Sequence, residues 1–143
     1  MGNTPNRIRP LALVLIENRG QILAKKDFDS HKQEDFYRIP GGGIDLGETS
    51  EQALRREIRE EFNAELKQAE LLEVLENIFT YEGEPGHEIV FLYRADFVDK
   101  DMYEKEKLVV LDKPGEETLH WFDKEVLLSS NFYPEGVEKF VKV

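Results

Sequence analysis

Polar and apolar residues alternate along this chain in blocks short enough to read as strands, with one longer block of helical period. Arg9 to Glu17 (RPLALVLIE) is apolar on both faces, as suits a central strand covered on two sides. Asn18-Arg19-Gly20 is a turn, and Gln21 to Lys26 returns as its hairpin partner. Asp27 to Asp35 is polar and reads as a loop, and Phe36 to Ile39 is a short strand ending at Pro40. Leu66 to Tyr81 reads mainly as strand, although its Glu-Leu content would also suit a helix. Glu82 to Gly86 is a turn, and Ile89 to Val98 (IVFLYRADFV) is the strongest strand signal in the chain. Asp99 to Gly115 is a charged excursion, read equally as a loop or a small strand around Leu108 to Leu111. Glu117 to Phe122 is a strand, Asp123 caps a short helix, and Glu135 to Val143 reads as a C-terminal helix. Clustered strands with one helix in mid-chain and others late give an α/β or α+β domain, its mixed β-sheet flanked by helices.

The helical block follows a glycine-rich turn, Pro40 to Gly43, and runs from a cap at Thr49 or Ser50 to about Phe62, with Asn63 suited to a left-handed end. At roughly 100° per residue, Leu54, Ile58 and Phe62 form an apolar stripe. Glu57, Glu60 and Glu61 lie together beside it, Glu61 nearest, while Arg55 and Arg59 fall beyond its other edge. Carboxylates at this spacing repel by a few tenths of a kcal/mol per pair. A helix shaped by stability alone would not gather them next to its core. Clustered carboxylate oxygens are what hard divalent cations bind.

Gly42, Glu48, Arg56, Glu57, Ile58, Glu60 and Glu61 match the signature of the Nudix hydrolases, and this stretch resembles that family. Two positions depart from it: Asn63 stands for the terminal Gly, and Ala64 for a larger aliphatic. The resemblance implies an αβα sandwich and hydrolysis of the pyrophosphate bond in a nucleoside diphosphate linked to another group. It implies that Glu60 and Glu61 bind Mg²⁺ (or Mn²⁺), that Glu57 is a third ligand or activates water, and that the Gly41 carbonyl completes the shell. It implies a Glu48–Arg56 pair fixing loop to helix. A further carboxylate outside the signature would come from Glu82, Glu84 or Glu88; Glu88, opening the strong strand beside His87, is favoured. On the substrate side Arg38 would contact a phosphate, and Phe36, Tyr37 or Tyr81 could stack on a base. Tyr81 lies about where diadenosine polyphosphate hydrolases of this family carry a tyrosine, so a dinucleoside polyphosphate is the preferred substrate. A nucleoside triphosphate, oxidised or not, and a nucleotide sugar are alternatives. A Nudix module that binds nucleotides without cleaving them would usually have lost a signature glutamate, and this chain keeps all of them.

Composition narrows the partners. At 143 residues the chain is expected to form a single domain, residues 1–143. It has no cysteine, which excludes disulfides and thiol catalysis. It has no apolar run long enough to span a membrane and no apolar signal-peptide core, so a cytoplasmic address is expected. A formal net charge of −11 argues against stable nucleic-acid or anionic-membrane partners. It also repels a polyphosphate, unless a cation at the carboxylates inverts the local field. A nucleotide-type small molecule is the expected partner, and a homodimer is left open.

Overall fold

The computed structural model describes residues 7–113 and 117–142. In chain order the elements are β1 (Arg9–Leu15), β2 (Glu17–Asn18), β3 (Gln21–Asp29), β4 (Glu34–Arg38), β5 (Gly41–Gly43), α1 (Ser50–Phe62), β6 (Leu66–Tyr81), β7 (Glu84–Phe97), β8 (Lys107–Val109), β9 (Thr118–Asp123), α2 (Lys124–Leu128) and β10 (Phe132–Tyr133), with 3₁₀ turns at Lys100–Tyr103 and Val137–Phe140. The strands form a four-stranded sheet, β5-β1-β7-β6, and a six-stranded one, β10-β4-β3-β9-β8 with β2 on β3. Both are mixed: β1 is parallel to β7 but antiparallel to β5, and β10 is parallel to β4.

β1 explains the layering. Ala12, Val14 and Ile16 point to one core with Leu54 and Ile58 of α1. Leu11, Leu13 and Leu15 point to the other, with Ile22, Tyr37 and Leu127 of α2. A strand apolar on both faces is what two covered faces require, each buried Leu or Ile contributing roughly 1.5–3 kcal/mol. The result is the mixed-sheet, helix-flanked fold that the sequence implies. No helix among the described residues is long and apolar enough to cross a membrane.

α1 is closed at both ends by the residues its sequence offers. The Thr49 hydroxyl accepts from the Gln52 N–H at 3.2 Å, while the Gln52 side chain accepts from the Thr49 N–H at 2.9 Å. Such a reciprocal cap contributes about 1 kcal/mol. Asn63 is left-handed, at φ 51°, and donates its N–H to the Arg59 carbonyl at 2.9 Å. Asn63→Gly should therefore be neutral or stabilising by up to about 1 kcal/mol, since glycine takes this conformation without side-chain strain. Thermal unfolding checks it, and a clear loss of melting temperature would sink the assignment.

Several boundaries differ from the sequence expectation. Asp27 to Asp35 is largely strand: β3 and β4 pair from Lys25↔Arg38 to Asp29↔Glu34, leaving a loop of only residues 30–33. Ladder pairing overrides the poor strand propensity of its acidic residues. The buried Asp29 carboxylate organises the loop by accepting from the His31 and Lys32 N–H groups at 3.0 and 3.1 Å. The turn expected over Glu82 to Gly86 shrinks to Glu82-Gly83, at φ 51° and 80°, and β7 starts at Glu84. Asp123 precedes α2, but its carboxylate accepts from the Gln21 side chain and caps nothing. The C-terminal helix is absent over the described part of Glu135 to Val143. One 3₁₀ turn stands there, because Pro134 and the left-handed Gly136 (φ 104°) set the chain direction, and Val143 lies outside the described residues.

Candidate active site

β4 carries Arg38 into the cleft, and Pro40 turns the chain back so that Gly41–Gly43 pairs with Leu11–Leu13 as β5. Two glycines there are required for different reasons. Gly41 has φ 138°, and a Cβ would meet the Ala12 carbonyl oxygen at 2.1 Å. At Gly42 a Cβ would meet the Glu57 carboxyl at 2.4 Å. The signature glutamate thus lies directly on glycine backbone.

Arg56 is the hub between loop and helix. Its Nε donates to Glu48 at 2.7 Å and its Nη2 to the other Glu48 oxygen at 3.0 Å, a bidentate pair. It also donates to the Gly43 carbonyl at 2.9 Å and to Glu57 at 3.0 Å. The Glu48 carboxylate, so bonded by Arg56 and by the Asp45 N–H, is held below the usual carboxylate range. The same guanidinium reaches Glu60 at 3.3 Å.

Glu61 is 7% exposed, beside the apolar stripe. Burial, the hydrogen-bonded Glu57 carboxyl and the charge of Asp112 push it up to about 9. Like charges in a poorly solvated site oppose ionisation of the buried one. Among the described residues no three acidic, imidazole or thiolate side chains converge as a preformed cation cage, because Glu60 is turned toward Arg56. The donor set nonetheless fits a hard divalent cation: it is all oxygen, and its own repulsion is relieved by positive charge.

These groups line a cleft of about 280 Å³ together with Arg38, Gly41 and Phe36. Arg38, Gly41, Glu57, Glu60 and Glu61 are therefore brought together, and Glu48 and Arg56 support them from behind. Two expected residues stand elsewhere. Glu88 is buried outside the cleft lining, opposite Arg9 in the β1–β7 register and 3.6 Å from its guanidinium. Tyr81 does not line the cleft; its ring packs edge-on against Phe36 at 5.6 Å, and Phe36 is the aromatic that faces in. Of the other acidic candidates, Glu82 is engaged by Ser30, whose N–H donates to it at 2.8 Å.

Sequence reading missed Arg9, Lys25, Asp112 and Glu117, which also line the cleft. Lys25 is bound to Glu117 at 2.7 Å. Asp112 arrives because the Leu111 N–H donates to the Glu61 carbonyl at 2.8 Å, seating that segment over the end of α1. Tyr93 was also missed; its hydroxyl bonds Ser50 at 2.6 Å and ties the start of α1 to β7. Only the unresolved reading of the charged excursion hinted at any of this.

The NUDIX domain family matches residues 6–141, and the chain belongs to it. It is similar to an RNA pyrophosphohydrolase of Erwinia tasmaniensis, 33% identical over 81 residues, which is 57% of this chain and 42% of that protein. It is similar as well to an 8-oxo-dGTP diphosphatase of Haemophilus influenzae, 38% identical over 68 residues, 47% of this chain and 50% of that one. The chain thus spans half or less of the length of these curated relatives. Among solved structures, a MutT NUDIX hydrolase from Burkholderia pseudomallei is similar at TM-score 0.57 and 28% identity, covering 84% of this chain and 86% of that one.

Proposed function

We propose that the chain hydrolyses the pyrophosphate bond of a nucleoside diphosphate linked to another group, using a divalent cation, Mg²⁺ or Mn²⁺. The observation that carries this reading is the buried Glu61 carboxyl beside Glu57, which lies against the glycine turn, with Arg38 in the same cleft. The family membership and the printed names of the relatives, which share cleavage of a phosphoric anhydride, support it.

Glu57, Glu60 and Glu61, with the Gly41 carbonyl, would hold the cation. When bound it supplies charge neutralisation and acidifies a water. The chain's own groups then have distinct parts. Arg56 holds Glu57 in place and draws on Glu60, and Glu57 is either a ligand or the acceptor of the water proton. Arg38 binds a phosphate. As the water oxygen bonds to phosphorus, the bridging P–O bond breaks and its electron pair leaves with the departing phosphate. Such transfers need positioning and charge stabilisation more than covalent help.

With Tyr81 behind Phe36, the preference for a dinucleoside polyphosphate loses its structural support. The proposal covers nucleotide pyrophosphate bonds as a class. The test is cleavage of a panel, read by chromatographic separation of the products: diadenosine tetraphosphate, nucleoside triphosphates with oxidised forms, a nucleotide sugar and 5′-triphosphorylated RNA. Turnover on at least one substrate is expected with Mg²⁺ or Mn²⁺, and none in excess chelator. Full turnover in chelator would overturn the metal role, and binding without cleavage across the panel would favour a sensor module.

A further inference from the structure

Two guanidiniums line the floor of the cleft, and one buried carboxylate stands behind them. Arg9 and Arg38 both line it. Glu88, 5% exposed, sits behind them and shares an inner cavity with Arg38. Sheet register creates the cluster, since the parallel β1–β7 pairing sets Arg9 opposite Glu88. The contact is incomplete: Arg9 Nη1 and Glu88 Oε2 are 3.6 Å apart, and neither buried atom has a hydrogen-bond partner. Burial pushes the Arg38 guanidinium below its ordinary value; Glu88 opposes that shift, and Arg9 adds to it. Two guanidiniums therefore flank the Glu88 carboxylate, with Glu61 and Glu117 acting on Arg38 from elsewhere in the cleft, and the buried Arg9 Nη1 donor is unspent. A divalent cation would be repelled there. A tetrahedral oxyanion would be held, because guanidinium forks match its oxygens in pairs.

We propose that Arg9 and Arg38 form a phosphate seat on the floor of the cleft, with Glu88 as the buried counter-ion that keeps the two guanidiniums side by side. Its ligand is a phosphate of the substrate chain next to the one attacked. The seat rests on the pyrophosphate-hydrolase reading for its role in turnover, though not for the binding itself. Glu88, favoured from the sequence as a metal ligand, becomes a positioning residue. The competing account is a purely structural ion pair that stitches β1 to β7.

The probe is inorganic pyrophosphate, titrated calorimetrically in excess chelator against the whole chain. The variants are Arg9→Gln, Arg9→Lys and the Arg9→Gln/Glu88→Gln double. The wild type should bind, Arg9→Gln should bind at least tenfold more weakly, and Arg9→Lys, which keeps the charge but loses the fork, should fall between. On the best substrate of the panel, Arg9→Gln should raise KM by a similar factor with kcat within threefold. The melting temperature should fall in Arg9→Gln, which leaves Glu88 unpaired, and recover in the double variant without recovery of affinity. No heat from the wild type, affinity of Arg9→Gln within twofold of wild type, or affinity restored in the double would overturn the seat. Pyrophosphate binding as described with no cleavage of any panel substrate would instead sink the hydrolase reading and leave the seat standing.

Discussion

Gly42→Ala should lower kcat/KM by about a hundredfold or more and leave the protein folded. The added Cβ would stand 2.4 Å from the Glu57 carboxyl, far inside contact distance. Gly42 does not have the positive φ of Gly41, so the backbone accepts alanine and the side chain of Glu57 yields. That movement breaks the bond from Arg56 at 3.0 Å and separates Glu57 from Glu61. A displacement of about 1 Å in a positioned group can cost roughly a hundredfold in rate. Gly41→Ala differs, because its Cβ would strike the Ala12 carbonyl, which belongs to the sheet. Steady-state kinetics beside melting curves check the contrast. Wild-type turnover in Gly42→Ala would mean that Glu57 has no part in catalysis.

Glu61→Gln should remove activity by at least about a hundredfold, the scale of losing one preorganised electrostatic group. In metal-free buffer it should also stabilise the fold. The sign follows from the direction of the shift. Glu61 is raised in the folded protein, to about 9, above its ordinary 4.5, by burial and by Glu57. The folded state then binds the proton more tightly than the unfolded state, so stability falls as pH rises between those two values. Glutamine carries no such dependence. The melting temperature of the metal-free wild type should drop relative to the variant on going from pH 6 to pH 9, and an added divalent cation should close the gap. A constant gap across that range would show that Glu61 titrates as an ordinary carboxylate.

The parts of the site that were legible in the sequence are those set by local geometry. Thr49 and Asn63 mark the helix ends, and the 3.6-residue period puts Glu61 next to the buried stripe. The glycine turn and the Glu48–Arg56 pair are separated by few residues, so spacing alone brings them together. The rest depends on pairing between distant strands. Arg9 and Glu88 meet only because β1 runs parallel to β7, and nothing in either segment announces that register. Lys25 and Glu117, 92 residues apart, meet for a similar long-range reason. Tyr81 ends its strand where the pattern placed it, but its edge-on packing against Phe36 is a contact between distant strands that neither segment announces. The C-terminal helix failed on Gly136, whose left-handed backbone a composition-based reading does not register.

β6 has a consequence for how the protein behaves in a crowded solution. It is 16 residues long and lies at the open margin of its sheet, with Val74 and Ile78 exposed. A flat margin of that length is a template on which foreign strands can add and grow into aggregates. Two irregularities in its pairing, between Lys67 and Glu70 and between Leu71 and Glu73, bend the ladder and spoil its repeat. Glu70 and Glu76 put like charge along it, with Glu73 paired to Lys139 at 2.7 Å, and any second copy would bring the same charges. The net acidity that a polyphosphate must overcome to reach the cleft therefore has a use at the sheet margin: it keeps a sticky edge from finding another.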